Sequence, residues 1–412
     1  MVPIGPPFGG LYDADMDEET LSRVYDDPLA HWFVTEAYRI SDTTELIAAT
    51  GEQIVAAGLP LYRLAYFQRT LHPEFSGKGY FWRRDRGVEV DSVPHGFQDG
   101  ADYLDNPLPA VYQRRKIVRF RLEGEEPQAP VLRQLKSEGA TDYVALPLFF
   151  TGGHIDALSI VSDRPCGFTG SDLDRLYLLH FAFTRIVETH SLRDTATNLL
   201  DAYVGRAAGE RILAGEVKRG EGQTMEAVIW YCDLRGFTRT SDVLPRDSVI
   251  CLLNDYFGAM GAAVTSAGGE ILKFMGDAML AMLPVPDPAG RAATVGRAAH
   301  AASVAAQSIA ALNGSRIAVG EQTLRFGLAL HLGEVMFGNI GASQRLDFTV
   351  IGPAVNYAAR LEKVTSIAGC PIVLSQAVAE LLPRDIVQPL GRHLLKDIDQ
   401  PQMIYRLGDM PA

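Results

Sequence analysis

Apolar residues recur along this chain in two rhythms, and the switches between them mark its segments. From Asp27 to Ala57 the spacing predicts helix, with a break near Ser41-Asp42. Strand-like runs follow at Leu61–Thr70, Gly79–Arg84 and Val88–Val93. After a polar, proline-containing middle come two stronger strands, Tyr143–Phe150 and Ile155–Ser162, separated by Thr151-Gly152-Gly153. From Ser171 the pattern turns helical, with Leu173, Leu176, Tyr177, His180, Phe183 and Val187 at three- and four-residue steps. Phe168 to Asp172 supplies capping residues before it. The helix continues toward Tyr203, about 45 Å if unbroken at 1.5 Å per residue. Its apolar stripe either packs on the preceding sheet or pairs with its copy in a dimer, and the pattern leaves both open.

A second domain opens after Arg219-Gly220-Glu221-Gly222-Gln223. Ala227–Cys232 reads as a buried strand that delivers Asp233 at its end, followed by a tight turn, Leu234-Arg235-Gly236-Phe237-Thr238, into a short helix. An acidic side chain beside free backbone N–H groups suits a metal-bound phosphate chain, and equally suits a helix cap. Pro245 opens a longer helix with Val249, Leu252, Leu253, Tyr256, Phe257 and Met260 on one face. Residues 268–283 read as a hairpin, with Lys273 on its first strand and Gly276-Asp277 at its turn. An Asp at such a tip is either a turn residue or a second carboxylate for Mg2+. A lysine within an otherwise apolar strand calls for a partner. Residues 325–341 read as a strand followed by closely spaced Gly333, Gly338 and Gly341. Pro353 suits the first turn of a helix, which sets Asn356 and Arg360 on one face. That arginine is either part of a solvated helix face or a planar fork for a phosphate.

Composition narrows the field. The chain has 412 residues, 47% hydrophobic and 21% charged, an ordinary globular mix with room for two or three domains. A formal net charge of -12 argues against a general nucleic-acid binder. Cys166, Cys232, Cys251 and Cys370 are scattered and are expected to be reduced, mostly buried thiols. His31, His72, His95, His154 and His180 show no metal spacing, and Trp32 and Trp82 read as core. No stretch reads as a bilayer span, and the start lacks the flank and apolar core of a secretory signal, so a cytoplasmic protein is expected.

Taken together, the ordered blocks DLRGFT, GGEILKFMGDAMLA, GLALHLGEV with FGNIG, FTVIGPAVNYAAR and LLKDIDQPQMIYRL resemble the class III adenylate/guanylate cyclase catalytic domain. The strands, glycine hairpin and long helix before them resemble sensor domains of the GAF type. The expected fold is α+β: a tail at 1–28, a GAF-like α/β sensor domain at 29–170, a connecting helix at 171–203, and a ferredoxin-like cyclase domain at 204–412. The resemblance implies a homodimer with active sites between subunits and two Mg2+ per site, replaceable by Mn2+, on Asp233 and Asp277. It places Lys273 and Thr349 at the purine, Asn356 at the ribose and Arg360 on the reacting phosphate. Lys396 falls at the terminal phosphates, with Gly236, Phe237 and Thr238 in the phosphate turn. Family members often have glycine where this chain has Asp397. Lys273 with Thr349 points to ATP rather than GTP, and Thr349 resembles the class IIIb subgroup, often stimulated by bicarbonate. The rival readings are a diguanylate cyclase, disfavoured because Gly268-Gly269-Glu270-Ile271-Leu272 departs from that signature, and an inactive or autoinhibited cyclase-like module.

Overall fold

The computed structural model describes residues 27–97, 100–342 and 344–408. Most of the expected tail, residues 1–26, therefore lies outside the described residues. The chain divides into two compact units, meeting between Ala202 and Tyr203.

The N-terminal unit is built on one antiparallel sheet. Its strands are β1 (Arg63–Arg69), β2 (Phe75–Arg83), β3 (Gly87–Pro94), β4 (Val118–Arg121), β5 (Asp142–Phe149) and β6 (Ile155–Ser162), in the order β3-β2-β1-β6-β5-β4. Helices Pro28–Thr35 and Thr43–Ala56 and the start of helix Gly170–Val204 cover one face, burying Phe33, Leu46, Val144, Leu146 and Phe183. The short helices Leu108–Arg114 and Pro130–Ser137 cover the other, burying Val111, Leu132, Tyr143 and Ala145. Because β5 and β6 are buried on both faces, they read as continuous apolar runs rather than alternating ones.

Helix Gly170–Val204 runs unbroken for 35 residues. A reciprocal box starts it: Thr169 N donates to Asp172 Oδ2, and Asp172 N donates to Thr169 Oγ1. Its buried positions stop at Ser191, so the first two thirds pack on the sheet. Beyond that point Leu192, Leu199 and Tyr203 are exposed.

In the second unit the strands are β7 (Gly222–Leu234), β8 (Glu270–Met275), β9 (Ala278–Pro284), β10 (Phe326–Ala342), β11 (Arg345–Ile351), β12 (Ile372–Ser375), β13 (Val387–His393) and β14 (Gln402–Leu407). They form one sheet in the order β13-β14-β12-β10-β7-β9-β8, with β11 paired to β10. The path β7, helix, β8, β9, helix, β10 with neighbours β10-β7-β9-β8 is the βαββαβ ferredoxin-like arrangement. Helices Arg246–Ser266 and Arg291–Ala318 seal one face through Leu252, Tyr256, Met260 and a close-packed run of alanines including Ala298, Ala302 and Ala305.

Three expectations are corrected. Gly333, Gly338 and Gly341 lie inside β10 rather than after it. They serve close packing: a Cβ on Gly338 would stand 2.3 Å from the Glu221 carbonyl, and one on Gly333 would stand 2.8 Å from Ala354 Cβ. Helix Arg246–Ser266 does have the length and apolar content of a bilayer span, yet its apolar side belongs to the domain core. Of the four free cysteines only Cys232 is buried; Cys166 and Cys251 are exposed.

Candidate active site

The apolar run of β7 carries Asp233 to the end of the strand, opposite Ala278 of β9 and Gly327 of β10. The β8–β9 turn, with Gly276 at φ 67°, delivers Asp277 beside it. A backbone bond from Leu234 N to Asp277 O, 3.3 Å, ties the two ends together. Burial, and then the negative charge of Asp233, push the Asp277 carboxyl up to about 6. Asp233 Oδ1 is buried and receives no hydrogen bond, although Lys363 Nζ donates to Asp233 Oδ2 at 2.8 Å. Two apposed carboxylates, one of them hard to ionise, suit either a proton shared between them or a cation.

The sequence reading missed the cation that is there. Lys363 ends helix Pro353–Glu362 and also lies 3.1 Å from Glu362 Oε2. Burial alone would lower its ammonium, but the Asp233 and Glu362 carboxylates outweigh burial and hold it above its ordinary value. Glu362 is fully buried and pairs through Oε1 with Arg235 at 2.7 Å. Thr365 donates to the Glu362 carbonyl at 2.7 Å. Gly327 admits this cluster, since a Cβ there would sit 2.2 Å from Glu362 Oε1. A signal for Glu362 did exist: it stands eight residues after Ala354, in line with buried Ala358 and Leu361.

A second group of polar residues makes no hydrogen bond or ion pair to these carboxylates among the described residues. Lys273 donates to Asp347 Oδ2 at 2.7 Å, which supplies the partner its strand position demanded. That bond holds the Asp347 carboxyl below its ordinary value. Alternation in β11 buries Phe348 and Val350 and leaves Thr349 on the face of Asp347. On helix Pro353–Glu362, Ala354, Ala358 and Leu361 face inward, while Asn356 is exposed and Arg360 half-buried. Arg360 donates to Asp397 Oδ2 at 3.2 Å. Asp397 has φ 57°, a left-handed conformation that favours glycine and tolerates aspartate, which accounts for the departure at this position. Lys396 beside it is exposed.

The turn after β7 has Gly236 at φ 75° and leads into helix Phe237–Val243. The Phe237 ring packs against the core, so only its backbone is left for a phosphate, and Thr238 is exposed. Among the described residues, no hydrogen bond or ion pair joins Asp233 or Asp277 to Lys273, Thr349, Asn356 or Arg360. Nor do the described residues contain a cluster of three or more metal-ligating side chains. Mg2+ is commonly held by one or two carboxylates and substrate phosphates, and Asp233 with Asp277 fits that donor set.

The family model of the Adenylate and Guanylate cyclase catalytic domain matches residues 221–400, which places a class III nucleotide cyclase catalytic domain there. A protein of Anabaena cylindrica named adenylate cyclase is 34% identical over 170 residues, 40% of this chain and 32% of that protein. The chain spans about a third of the length of the curated relatives it matches. Among solved structures, the adenylyl cyclase CyaB from P. aeruginosa is 28% identical over 46% of this chain and 97% of its own, with a TM-score of 0.41. The guanylyl cyclase Cya2 is 31% identical over 45% of this chain and 93% of its own, with a TM-score of 0.40.

Two outcomes follow from the carboxylate geometry. A divalent cation needs Asp277 ionised, so Mn2+ affinity should rise with pH through about 6 and level off above it. The stability of the metal-free protein should show the opposite sign. A raised folded-state value stabilises the fold most below the ordinary 3.8, and that contribution disappears as pH rises through about 6. Electron paramagnetic resonance of free Mn2+ from pH 5 to 7.5 checks the first statement, and Asp277→Asn should flatten the profile. Lys363→Met keeps the stem but removes the competing charge, so without nucleotide it should bind Mn2+ roughly threefold to tenfold more tightly. Equal affinity in the same titration would show that the ammonium leaves Asp233 without cost.

Proposed function

We propose that this protein is an adenylate cyclase, converting ATP into 3′,5′-cyclic AMP and pyrophosphate at two equivalent sites in a homodimer. The observation that carries the reading is the Asp233–Asp277 pair, whose buried Oδ1 without a donor and raised carboxyl suit a metal–triphosphate complex. Bound there, two Mg2+ supply acidification of the ribose 3′-hydroxyl and neutralisation of the triphosphate.

The side chains of this chain do the remaining work. Lys273, steadied by Asp347, donates to a purine ring nitrogen, and the Thr349 hydroxyl accepts from the adenine amine. Asn356 holds the ribose so that its 3′-oxygen faces the α-phosphorus in line with the departing pyrophosphate. Arg360 leaves Asp397 and turns its fork to the charge that builds on the phosphate. Lys396, exposed beside it, takes the terminal phosphates. That the carboxylates share no hydrogen bond or ion pair with the purine and arginine group among the described residues supports sites completed by a second copy. In this reading the N-terminal unit is a GAF-like sensor domain, and Thr349 makes bicarbonate the effector to try first.

Purified protein assayed with ATP and with GTP, each with Mg2+ and Mn2+, should show clear ATP preference; equal or greater turnover of GTP would sink the assignment. Asp277→Ala and Arg360→Ala homodimers should each be nearly inactive. In a mixed dimer both lesions fall in one site, so mixing should restore activity. Heterodimers confirmed by native mass spectrometry but still inactive would count against shared, independent sites.

A further inference from the structure

On the side of the N-terminal sheet covered by the two short helices, a cavity of about 510 Å³ opens between β1, β2 and helix Leu108–Arg114. It falls within the size range of small-molecule sites. Aromatic rings dominate its wall, among them Phe67, Phe81, Tyr112 and Tyr143. Phe67 and Phe81 meet edge to face at 5.6 Å. Gly79 leaves room for the Phe81 ring, because a Cβ there would stand 2.5 Å from it.

Into this wall β1 inserts Arg63, which is 9% exposed. Its guanidinium lies over the Phe81 ring, 5.2 Å from the centroid, and its Nε is buried without a hydrogen-bond partner. The residue directly across the β1–β2 ladder is another cation, Arg83. The carboxylate that could serve both, Glu138, is held by Arg83 at 2.8 Å. Among the described residues no ion pair reaches Arg63. Burial accordingly pushes its guanidinium below the ordinary value. Two further cations, Arg69 and Lys78, line the cavity against one exposed carboxylate, Asp91. Glu138 acts on Arg63 only from beyond ion-pair distance, and a buried charge so weakly compensated suits a site whose counter-ion arrives with a ligand.

We propose that this cavity binds a small planar organic anion, with its carboxylate or phosphate on Arg63 and its ring among the aromatic side chains. The charge on Arg63 selects the anion through a two-pronged, charge-assisted pair. The rings select a flat body, since they offer faces and edges to stack against.

The test uses the full chain and two measurements, neither of which depends on catalysis. In calorimetric unfolding without ligand, Arg63→Met should leave the N-terminal transition unchanged or raise its Tm, because an unpaired buried charge is removed. Isothermal titration then compares benzoate, 1-naphthoate, 1-naphthyl phosphate and AMP with the neutral amides of the two acids. At least one anion should bind saturably and about tenfold more weakly to Arg63→Met, and a carboxylate that binds should do so at least about tenfold more tightly than its amide. The better arm, carboxylate or phosphate, assigns the head group. A fall in Tm or loss of folding in Arg63→Met would make the arginine structural and overturn the proposal. So would amides that bind as well as the acids, or no binding by any anion in the set.

Discussion

A carboxylate fully shut away from water must be given cations or hydrogen-bond donors, and in the second unit that requirement at Glu362 organises the surroundings of the Asp233–Asp277 pair. Arg235, two residues after Asp233, reaches it from the end of β7, and Lys363 reaches it from the end of its own helix. The pair is 2.7 Å long on the Arg235 side, and removing one partner of such a buried pair typically costs about 3–5 kcal/mol. The helix bearing Asn356 and Arg360 is thereby clamped to the strand bearing Asp233. Gly327 leaves the room in which Glu362 and Arg235 meet.

The N-terminal unit obeys the same rule at two places. Asp142, fully buried, takes Arg119 at 2.6 Å and the Phe168 amide at 2.9 Å. Asp156, also fully buried, accepts from the Tyr66 hydroxyl at 2.6 Å and from Arg69 N at 3.0 Å, with His154 at 3.0 Å. Against these satisfied carboxylates, Arg63 stands out as a buried cation with no such arrangement. The contrast matters more than any single distance, because it separates charges that hold the fold from one that the fold tolerates.

The elements legible in sequence were those with a long period or a clean edge. Strand Ile155–Ser162 appears with the boundaries its pattern gave, and the β8–β9 hairpin turns at Gly276-Asp277 as read. Strand Val118–Arg121 and helices Leu108–Arg114 and Pro130–Ser137 were not legible: too short to show a period, and lying among prolines that read as loop. The reach of β10 was hidden by its glycines, which look like punctuation until the facing backbone at Glu221 shows why no side chain fits. In the candidate site, side-chain types and spacing anticipated that Asp233 and Asp277 come together and that Asn356 and Arg360 share one helix. The contacts of Lys363, Asp347 and Asp397 were missed because each is distant in sequence: 130 residues to Asp233, 74 to Lys273 and 37 to Arg360.

The bond between Arg360 and Asp397 has a character set by where it lies. Asp397 is mostly exposed and Arg360 about one third so, and Asp397 sits on backbone of inverted hand that costs about 1–2 kcal/mol for a residue with a side chain. Charges this open to water hold one another weakly, and at physiological ionic strength screening acts over about 8 Å. The guanidinium is thus kept pointed without being captured. If the guanidinium passes from Asp397 to a phosphate, as proposed, it exchanges one weak tether for a better one and leaves Asp397 without its arginine partner.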